Sequence, residues 1–183
     1  MKRISANLTP ENRRQAFEQA VREYSPRLYQ LARRMVVWHE DADDVLQNAF
    51  VKAWLSLDSF RGESGLYTWL YRITVNECLS FIAASRTRES TTHGADDDTG
   101  SGMAENMARL QADPYFNGDE LLARLHAAVM HLPEKQQTVF RLKYFEEMKY
   151  EEISELLGTS VGALKASYHI AVKKIEQEIS SDN

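Results

Sequence analysis

Apolar residues recur every three or four positions through most of this chain, and that spacing limits what it can fold into. In "QAFEQAVREY", Phe17, Ala20, Val21 and Tyr24 fall on one face of a helix. The same period returns in "LYQLARRMV" and again after residue 119, whereas no convincing segment alternates apolar and polar residues as a strand does. The sequence therefore predicts an all-α protein.

Two prolines mark expected helix starts early in the chain. Each of the pairs Thr9–Pro10 and Ser25–Pro26 joins a capping residue to a proline suited to the first helical turn. We therefore expect one helix to end before Ser25 and a second to begin there. A fourth helix is expected over residues 66 to about 84. The third is expected to bury Leu46, Phe50, Ala53, Trp54 and Leu57.

A polar segment interrupts the helical period between residues 86 and 118. Ser, Thr, Gly and Asp dominate it, and little apolar content precedes Met103. Such a composition does not bury enough apolar surface to offset the entropy lost on ordering. The sequence therefore predicts two small helical domains, residues 1–85 and 119–183, joined by a flexible linker over residues 86–118.

Other features of the sequence exclude several classes of protein. A single cysteine, Cys78, rules out an internal disulfide and a thiolate cluster. No apolar run is long enough to span a membrane, and the basic N-terminus lacks the apolar stretch of a secretory signal. We therefore expect a cytoplasmic protein without membrane insertion.

A histidine and several acidic residues raise the question of a metal site. The run "HEDADD" at residues 39–44 offers ligands, but its aspartates are too close in sequence to converge from one helix. His126 and His131 also lack a recognisable metal-binding spacing. We therefore expect no metal, no cofactor and no catalytic residues, and the protein is not expected to be an enzyme.

The C-terminal part of the chain carries two short helices about Gly158. The net charge is −5, yet between Gly158 and Ile175 the only charged residues are three lysines, accompanied by His169. This arrangement is typical of a helix-turn-helix whose second helix enters a DNA major groove. On that helix, Val161, Leu164, Tyr168, Ala171 and Ile175 are expected to face inward, and Lys165, Ala166, His169 and Lys173 to share another face.

The stretch "FRGESGLYTWLYRITVN", residues 60–76, concentrates aromatic rings near a glycine-flanked loop. On the expected helix, Trp69, Arg72 and Asn76 share a strip that is separate from the apolar strip. A ring, a guanidinium and an amide suit an unstacked base, since aromatic stacking contributes about 1–3 kcal/mol per base. Alternatively, Trp69 packs on another helix and Arg72 is solvated.

Two long motifs resemble those of a known family. "DADDVLQNAFVKAWLSLDSFRGESGLYTWLYRITVN" is similar to region 2 of the extracytoplasmic-function (ECF) sigma factors of bacterial RNA polymerase, and "LPEKQQTVFRLKYFEEMKYEEISELLGTSVGALKASYHIAVKKIE" is similar to their region 4. The resemblance implies a factor that binds core polymerase, recognises the −35 and −10 promoter elements and promotes transcription initiation. A helix-turn-helix regulator that acts without core polymerase is the alternative, but it leaves "DVLQNAF" and "FRGES" without a role.

The resemblance also implies partners and three sets of site residues. The partners are core RNA polymerase, through its clamp and flap, and promoter DNA, and the resemblance allows an anti-sigma factor as well. Asn76 stands where the family lines a pocket for one flipped base of the −10 element. The polymerase-binding set is Asp44, Gln47, Asn48 and Val51; the −10 set is Phe60, Arg61, Ser64, Tyr67, Trp69, Arg72 and Asn76; the −35 set is Lys143, Tyr150, Ser160, Lys165, Ala166, His169 and Lys173.

This chain departs from the family pattern at two places. The family more often has an acidic residue at Asn48, so the clamp contact is expected to rely more on Asp44 and Gln47. Many members carry "GTVKSR" or "GTVRSR" where this chain has "GALKAS", which puts Ala163 and Ser167 in place of a threonine and an arginine. The usual −35 sequence of the family is therefore not assumed for this protein.

Overall fold

The protein is predominantly helical in the part of the chain that its computed structural model describes, residues 10–60, 64–92, 99–116 and 118–181. Over those residues the all-α prediction is confirmed, and no helix there is both long and apolar enough to cross a membrane. The elements are α1 (Pro10–Val36), α2 (His39–Ser56), a 3-10 turn (Leu57–Ser59), α3 (Leu66–Thr92), α4 (Thr99–Ala112), α5 (Glu120–His131), α6 (Glu134–Phe140), a π-helical turn (Arg141–Phe145), α7 (Tyr150–Leu157) and α8 (Val161–Ser181).

The chain forms two compact units, Met1–Arg86 and Thr87–Asn183. In the first unit, α1 and α2 pack on each other and both bury apolar side chains. Helix α3 adds further side chains to this core. The fully buried members include Leu28, Leu31 and Met35 of α1, Val45 of α2, and Leu70 and Val75 of α3. Trp54, expected inside, is instead 47% exposed and rests on Phe17 with the ring centroids 5.4 Å apart.

Helix α1 runs through Pro26, where the sequence predicted a break between two helices. A proline inside a helix removes one backbone hydrogen bond. Here Pro26 is exposed, while Leu28, Leu31 and Met35 just after it are buried. Burial of those side chains offsets the lost hydrogen bond, so tertiary packing overrides the local signal.

Helix α4 occupies part of the segment for which the sequence predicted a flexible linker. Met103 and Leu110 are buried, Met107 is partly buried, and the helix packs against α5. These three apolar residues repeat at helical spacing, a signal that the polar composition of the surrounding segment obscured. Residues 99–112 of the predicted linker are therefore helical, as are residues 86–92 at the end of α3, while the domain boundaries stay a prediction. Residues 93–98 lie outside the described part of the chain.

The second unit is built around α5, α6 and α8. Its core joins Met103 of α4 to Ala127, Ala128, Val129 and Leu132 of α5, Phe140 of α6, and Ala171 and Ile175 of α8. The predicted restart at Pro133 is present, since α5 ends at His131 and α6 begins at Glu134. Gly158 ends α7 with φ of +62°, a left-handed conformation that glycine adopts without steric cost. The predicted helix-turn-helix is thus formed by α7 and α8.

Candidate functional site

One face of α2 is exposed along its whole length. Asp44, Gln47 and Asn48 are exposed, and Val51 is 56% exposed. The opposite face is held in the core by Ala42, Val45, Leu46, Ala49 and Ala53. The structure therefore brings together the four residues that the sequence grouped, which we call the α2 face. They offer a carboxylate, two amides and an aliphatic side chain, a set suited to hydrogen bonding around an apolar contact.

Leu55 extends the α2 face, although the sequence analysis did not single it out. It is 77% exposed and lies one helical turn after Val51. Its i+4 spacing from Val51 is the one feature of the sequence that could have placed Leu55 on the same face. Beside it, the Lys52 Nζ lies 2.5 Å from the Glu77 Oε1, which ties α2 to α3. An exposed leucine next to an exposed valine is a feature of surfaces that contact another protein.

The histidine at the start of α2 is engaged in contacts within the protein. The Tyr29 hydroxyl lies 2.5 Å from Nδ1 of His39, and Nε2 of the same ring lies 3.5 Å from Asp43. Among the described residues, no group of three or more His, Cys, Asp or Glu side chains is arranged to hold a metal ion. The His39 ring therefore joins α1 to the first turn of α2.

Phe60 and Trp69 form an aromatic pair where the loop before α3 meets the helix. Their ring centroids are 4.9 Å apart at an interplanar angle of 40°, and both residues are half-buried. The Phe60 N–H donates to the Leu57 carbonyl oxygen at 3.2 Å, which holds the start of the loop against the 3-10 turn. Trp69 thus packs on the loop itself. The paired rings form a platform on which a flat group could stack.

Tyr67 lies apart from this pair and contacts α1. Its ring centroid is 5.2 Å from that of Tyr24, and the Arg27 guanidinium carbon lies 4.4 Å from the Tyr67 ring centroid. Tyr24 and Arg27 were not predicted as neighbours of this site, because contacts between two helices leave no local pattern in the sequence. Tyr67 therefore joins α3 to α1 and brings an arginine close to the loop.

The remaining −10 candidates flank the Phe60–Trp69 pair in different ways. Arg72 and Asn76 are exposed on α3, and Ser64 is half-buried in the loop. The Asn76 backbone oxygen accepts from the Ser80 hydroxyl at 2.9 Å, a bond that does not involve the Asn76 side chain. Arg61 lies outside the described residues. The strip on α3 therefore presents a guanidinium and an amide, the groups that can read phosphate and base edges.

Ser160 caps the first turn of α8. Its hydroxyl oxygen accepts from the Ala163 N–H at 3.3 Å, and its carbonyl oxygen accepts from the Leu164 N–H at 3.0 Å. Such a cap contributes about 1 kcal/mol to helix stability. Ser160 therefore positions α8 through its side chain.

Tyr150 lies between two lysines at the start of α7. The Lys143 Nζ is 5.0 Å and the Lys165 Nζ 5.7 Å from its ring centroid, both within reach of a cation–π contact. The Lys143 Nζ also donates to the Met148 carbonyl oxygen at 3.0 Å, so this side chain is held inside the unit. Three of the predicted −35 residues are thus in contact, with Lys143 supporting Tyr150 and Lys165 reaching over its ring.

The outer side of α8 carries the remaining predicted residues, and we call Lys165, Ala166, His169 and Lys173 the α8 face. All four are exposed. Beneath them Leu164 and Ala171 are buried, and Tyr168 stacks on Phe140 at 5.8 Å between centroids. Burial raises the pKa of the Tyr168 phenol above its ordinary value. The exposed charges on this side of α8 between Gly158 and Ile175 are positive, as the sequence predicted.

Comparison with known proteins assigns both units to one family. The family model described as Sigma-70 region 2 matches residues 20–88, and the one described as Sigma-70, region 4 matches residues 122–175. The chain is 30% identical over 168 residues to the RNA polymerase sigma-H factor of Pseudomonas aeruginosa, which covers 91% of this chain and 87% of that protein. It is 32% identical over 168 residues to the ECF RNA polymerase sigma-E factor of Haemophilus influenzae, which covers 91% of this chain and 88% of that protein.

A solved structure shares the fold. The sigma factor RpoE, in complex with the anti-sigma factor NepR from Bartonella quintana, matches with a TM-score of 0.62 at 23% identity. The match covers 92% of this chain and 99% of that chain. At this identity the likeness concerns the fold alone.

Proposed function

The chain belongs to the ECF RNA polymerase sigma factors, and from that premise we propose how its exposed faces perform the family's task. It binds core RNA polymerase, recognises the −35 and −10 promoter elements and promotes transcription initiation, and it is not an enzyme. The observation that carries this function is the presence of both sigma regions in one chain, in the family's order.

The domains divide this task between them. Residues 1–85 act as region 2, which binds core polymerase and recognises and melts the −10 element. Residues 119–183 act as region 4, which recognises the −35 element. Residues 86–118 connect the two, with α4 packed on α5. The division is supported by the two compact units, whose boundary at Arg86 lies close to residue 85.

The α2 face binds the clamp of the polymerase. Asp44 and Gln47 supply an acceptor carboxylate and an amide, and Val51 supplies apolar contact area. Asn48, which replaces the acidic residue more common in the family, contributes an amide in place of a charge. The exposure of all four side chains supports this role, because none is needed for the core of the unit.

The Phe60–Trp69 pair and the strip on α3 capture one flipped base of the −10 element. Extruding a base costs a few kcal/mol, which stacking and polymerase contacts must offset. The platform provides the stacking surface, Arg72 provides a charge for the backbone, and the Asn76 amide can read the edge of the base. Ser64 lies in the loop before α3, and Arg27 of α1 contacts the ring of Tyr67 on α3. Residue Arg61 belongs to the same loop by sequence.

Asn76→Ala is expected to change the preferred base at one −10 position and to leave the other positions nearly unchanged. The reason is that one amide reads one base edge, a contact that contributes about 1–3 kcal/mol of discrimination. The measurement is transcription from promoters carrying every single −10 substitution. Ser80→Ala serves as the control, since it alters the same helix at the hydroxyl that donates to the Asn76 backbone oxygen. An equal loss at every promoter would make Asn76 a structural residue.

The α8 face contacts the −35 element. Its lysines lie near phosphates, which supply most of the sequence-independent affinity of a DNA-binding protein. Tyr150 orients Lys165, and Lys143 supports Tyr150 from within the unit. Ser160 fixes the start of the helix that carries the face.

Lys165→Ala and Lys173→Ala are expected to weaken −35 engagement and to reduce its salt dependence. Each phosphate contact contributes about 0.9 to the slope of log affinity against log salt concentration, so each variant should lower the slope by about one. Holoenzyme binding to promoter DNA at several salt concentrations measures this slope. Lys135→Ala is the matched control, because Lys135 is an exposed lysine on α6 that does not belong to the α8 face. An unchanged slope in both variants would remove these lysines from the DNA interface.

An anti-sigma factor is a further partner in this proposal. The solved RpoE chain that shares this fold is bound to one. The exposed Val51 and Leu55 on the α2 face offer the apolar surface that a protein partner could cover in place of polymerase. We place the activity of the protein in the cytoplasm, where polymerase and promoter DNA meet.

Reconstituted transcription tests the function directly. Core polymerase without any other sigma factor is combined with the purified protein and genomic DNA fragments. We expect transcripts that start at a limited set of sites sharing −35 and −10 elements. A different sigma factor, tested in parallel on its own promoter, is the positive control. If that control is active and this protein gives no promoter-specific transcript, the function is contradicted.

A further inference from the structure

Ile170 is an exposed aliphatic residue on the outer side of α8. Its side chain is 45% exposed, while the apolar residues that hold α8 in the unit, Leu164, Ala171 and Ile175, are buried. Exposure of one large apolar residue is common by itself. This one, however, lies on the helix that faces DNA in the proposed function, one position after His169 and three before Lys173.

Two rows of side chains run along this side of α8 at the i, i+4 spacing. The first row, which we call the cationic row after its two lysines, consists of Lys165 and Lys173 with His169 between them. The second is apolar and consists of Ala166 and Ile170. Lys165 lies over the Tyr150 ring, which places the cationic row on the side of α7. The apolar row therefore lies beside the cationic row and farther from α7.

The start of α8 leaves room for close approach of a second molecule. A Cβ built on Gly162, four residues before Ala166, would meet no atom within 4 Å. Ala163 is exposed in the same turn. A glycine and an alanine at the entry of a helix allow DNA to come close to the helix backbone.

The first turns of α8 lack most side chains that read bases through paired hydrogen bonds. Residues 161–174, "VGALKASYHIAVKK", contain no Arg, Asn, Gln, Asp or Glu. Arg and Lys recognise guanine, Asn and Gln adenine, and Asp and Glu the cytosine amino group. The lysines remain, but Lys165 is directed over Tyr150. Apolar side chains in a major groove contact one specific group, the thymine 5-methyl.

We propose that Ile170, together with Ala166, selects the −35 element by contact with thymine 5-methyl groups. The cationic row contacts the phosphates and determines how far α8 enters the major groove. The apolar row then contacts the edges of the bases. This inference rests on the proposed function of the α8 face. It adds the chemical group that is read and the residue that reads it.

The test uses thymine and 2′-deoxyuridine, which pair identically and differ only in the 5-methyl group. Holoenzyme made from core polymerase and the full chain first selects promoters from DNA randomised at the −35 element. Each selected −35 thymine is then replaced singly by deoxyuridine, with the −10 element unchanged. We expect holoenzyme binding to weaken by about fourfold at one or two positions, the effect of losing one buried methyl.

The variant Ile170→Ala should lose this sensitivity to deoxyuridine, and relax its preference for thymine, at one of these positions. Leu121→Ala, which removes an exposed leucine from α5, should behave as the wild type. Equal binding of thymine and deoxyuridine promoters by the wild type would overturn the inference, as would an Ile170→Ala variant that keeps the full deoxyuridine effect at every position. If the wild-type holoenzyme selects no promoter at all, the proposed function itself fails.

Discussion

Ile153→Ala is expected to lower the free energy of unfolding of the Thr87–Asn183 unit by about 2–5 kcal/mol, the usual cost of truncating a buried aliphatic residue to alanine. Ile153 is 0% exposed and lies on α7, which packs against α8. The cavity would loosen the contact between the two helices of the helix-turn-helix. Binding to the −35 element should weaken as a consequence.

The distribution of tryptophan allows this prediction to be measured unit by unit. All three tryptophans, Trp38, Trp54 and Trp69, belong to the unit Met1–Arg86. In urea unfolding, tryptophan fluorescence therefore follows the first unit, while circular dichroism follows helices in both. Ile153→Ala should move a dichroism transition to lower urea and leave the fluorescence midpoint unchanged. Ile170 is exposed, so Ile170→Ala is the matched control, and its free energy of unfolding should stay within about 0.5 kcal/mol of the wild-type value. An unshifted dichroism transition would contradict the packing of α7.

The second large effect is expected from Asp44→Ala combined with Gln47→Ala, which should weaken binding to core polymerase by at least about tenfold. Each lost hydrogen bond to a desolvated partner costs about 1–3 kcal/mol, and about 1.4 kcal/mol corresponds to tenfold in affinity. Both residues are exposed, so the stability of the unit should be unchanged. The measurement is a titration of core polymerase with labelled protein.

A matched control for this double variant exists on α1. Gln19→Ala with Glu23→Ala removes one amide and one carboxylate at helical spacing from an exposed surface outside the α2 face. Affinity for core polymerase should not change in that control. If both double variants bind core polymerase as tightly as wild type, the α2 face is not the polymerase contact.

The sequence predicted elements wherever local pattern and tertiary packing agree. The apolar spacing of α8 correctly predicted that Leu164, Ala171 and Ile175 are buried. Gly158 predicted the turn because few other residues tolerate its positive φ. The spacing of apolar residues along α2 likewise predicted that Asp44 is exposed.

The remaining features depend on partners that are distant in sequence or on single hydrogen bonds. The continuity of α1 through Pro26 depends on the core beneath it, and α4 depends on α5, which covers Met103. The contact of Arg27 with Tyr67 joins two helices and leaves no periodic signal. Ser160 and Lys143 stay predicted DNA contacts, and their local bonds to the Ala163 N–H and the Met148 carbonyl oxygen leave no periodic signal in the sequence.

Promoter binding with and without core polymerase distinguishes a sigma factor from a regulator that acts alone. The wild-type protein alone is expected to bind promoter DNA poorly, since its net charge is −5 and its cationic surface on α8 is small. Addition of core polymerase should produce a complex in which the −10 region is unpaired, and the Asp44→Ala, Gln47→Ala double variant should form much less of it. Tight binding of the wild type to one specific site without polymerase, equalled by the double variant, would contradict a sigma factor and indicate a regulator that acts alone.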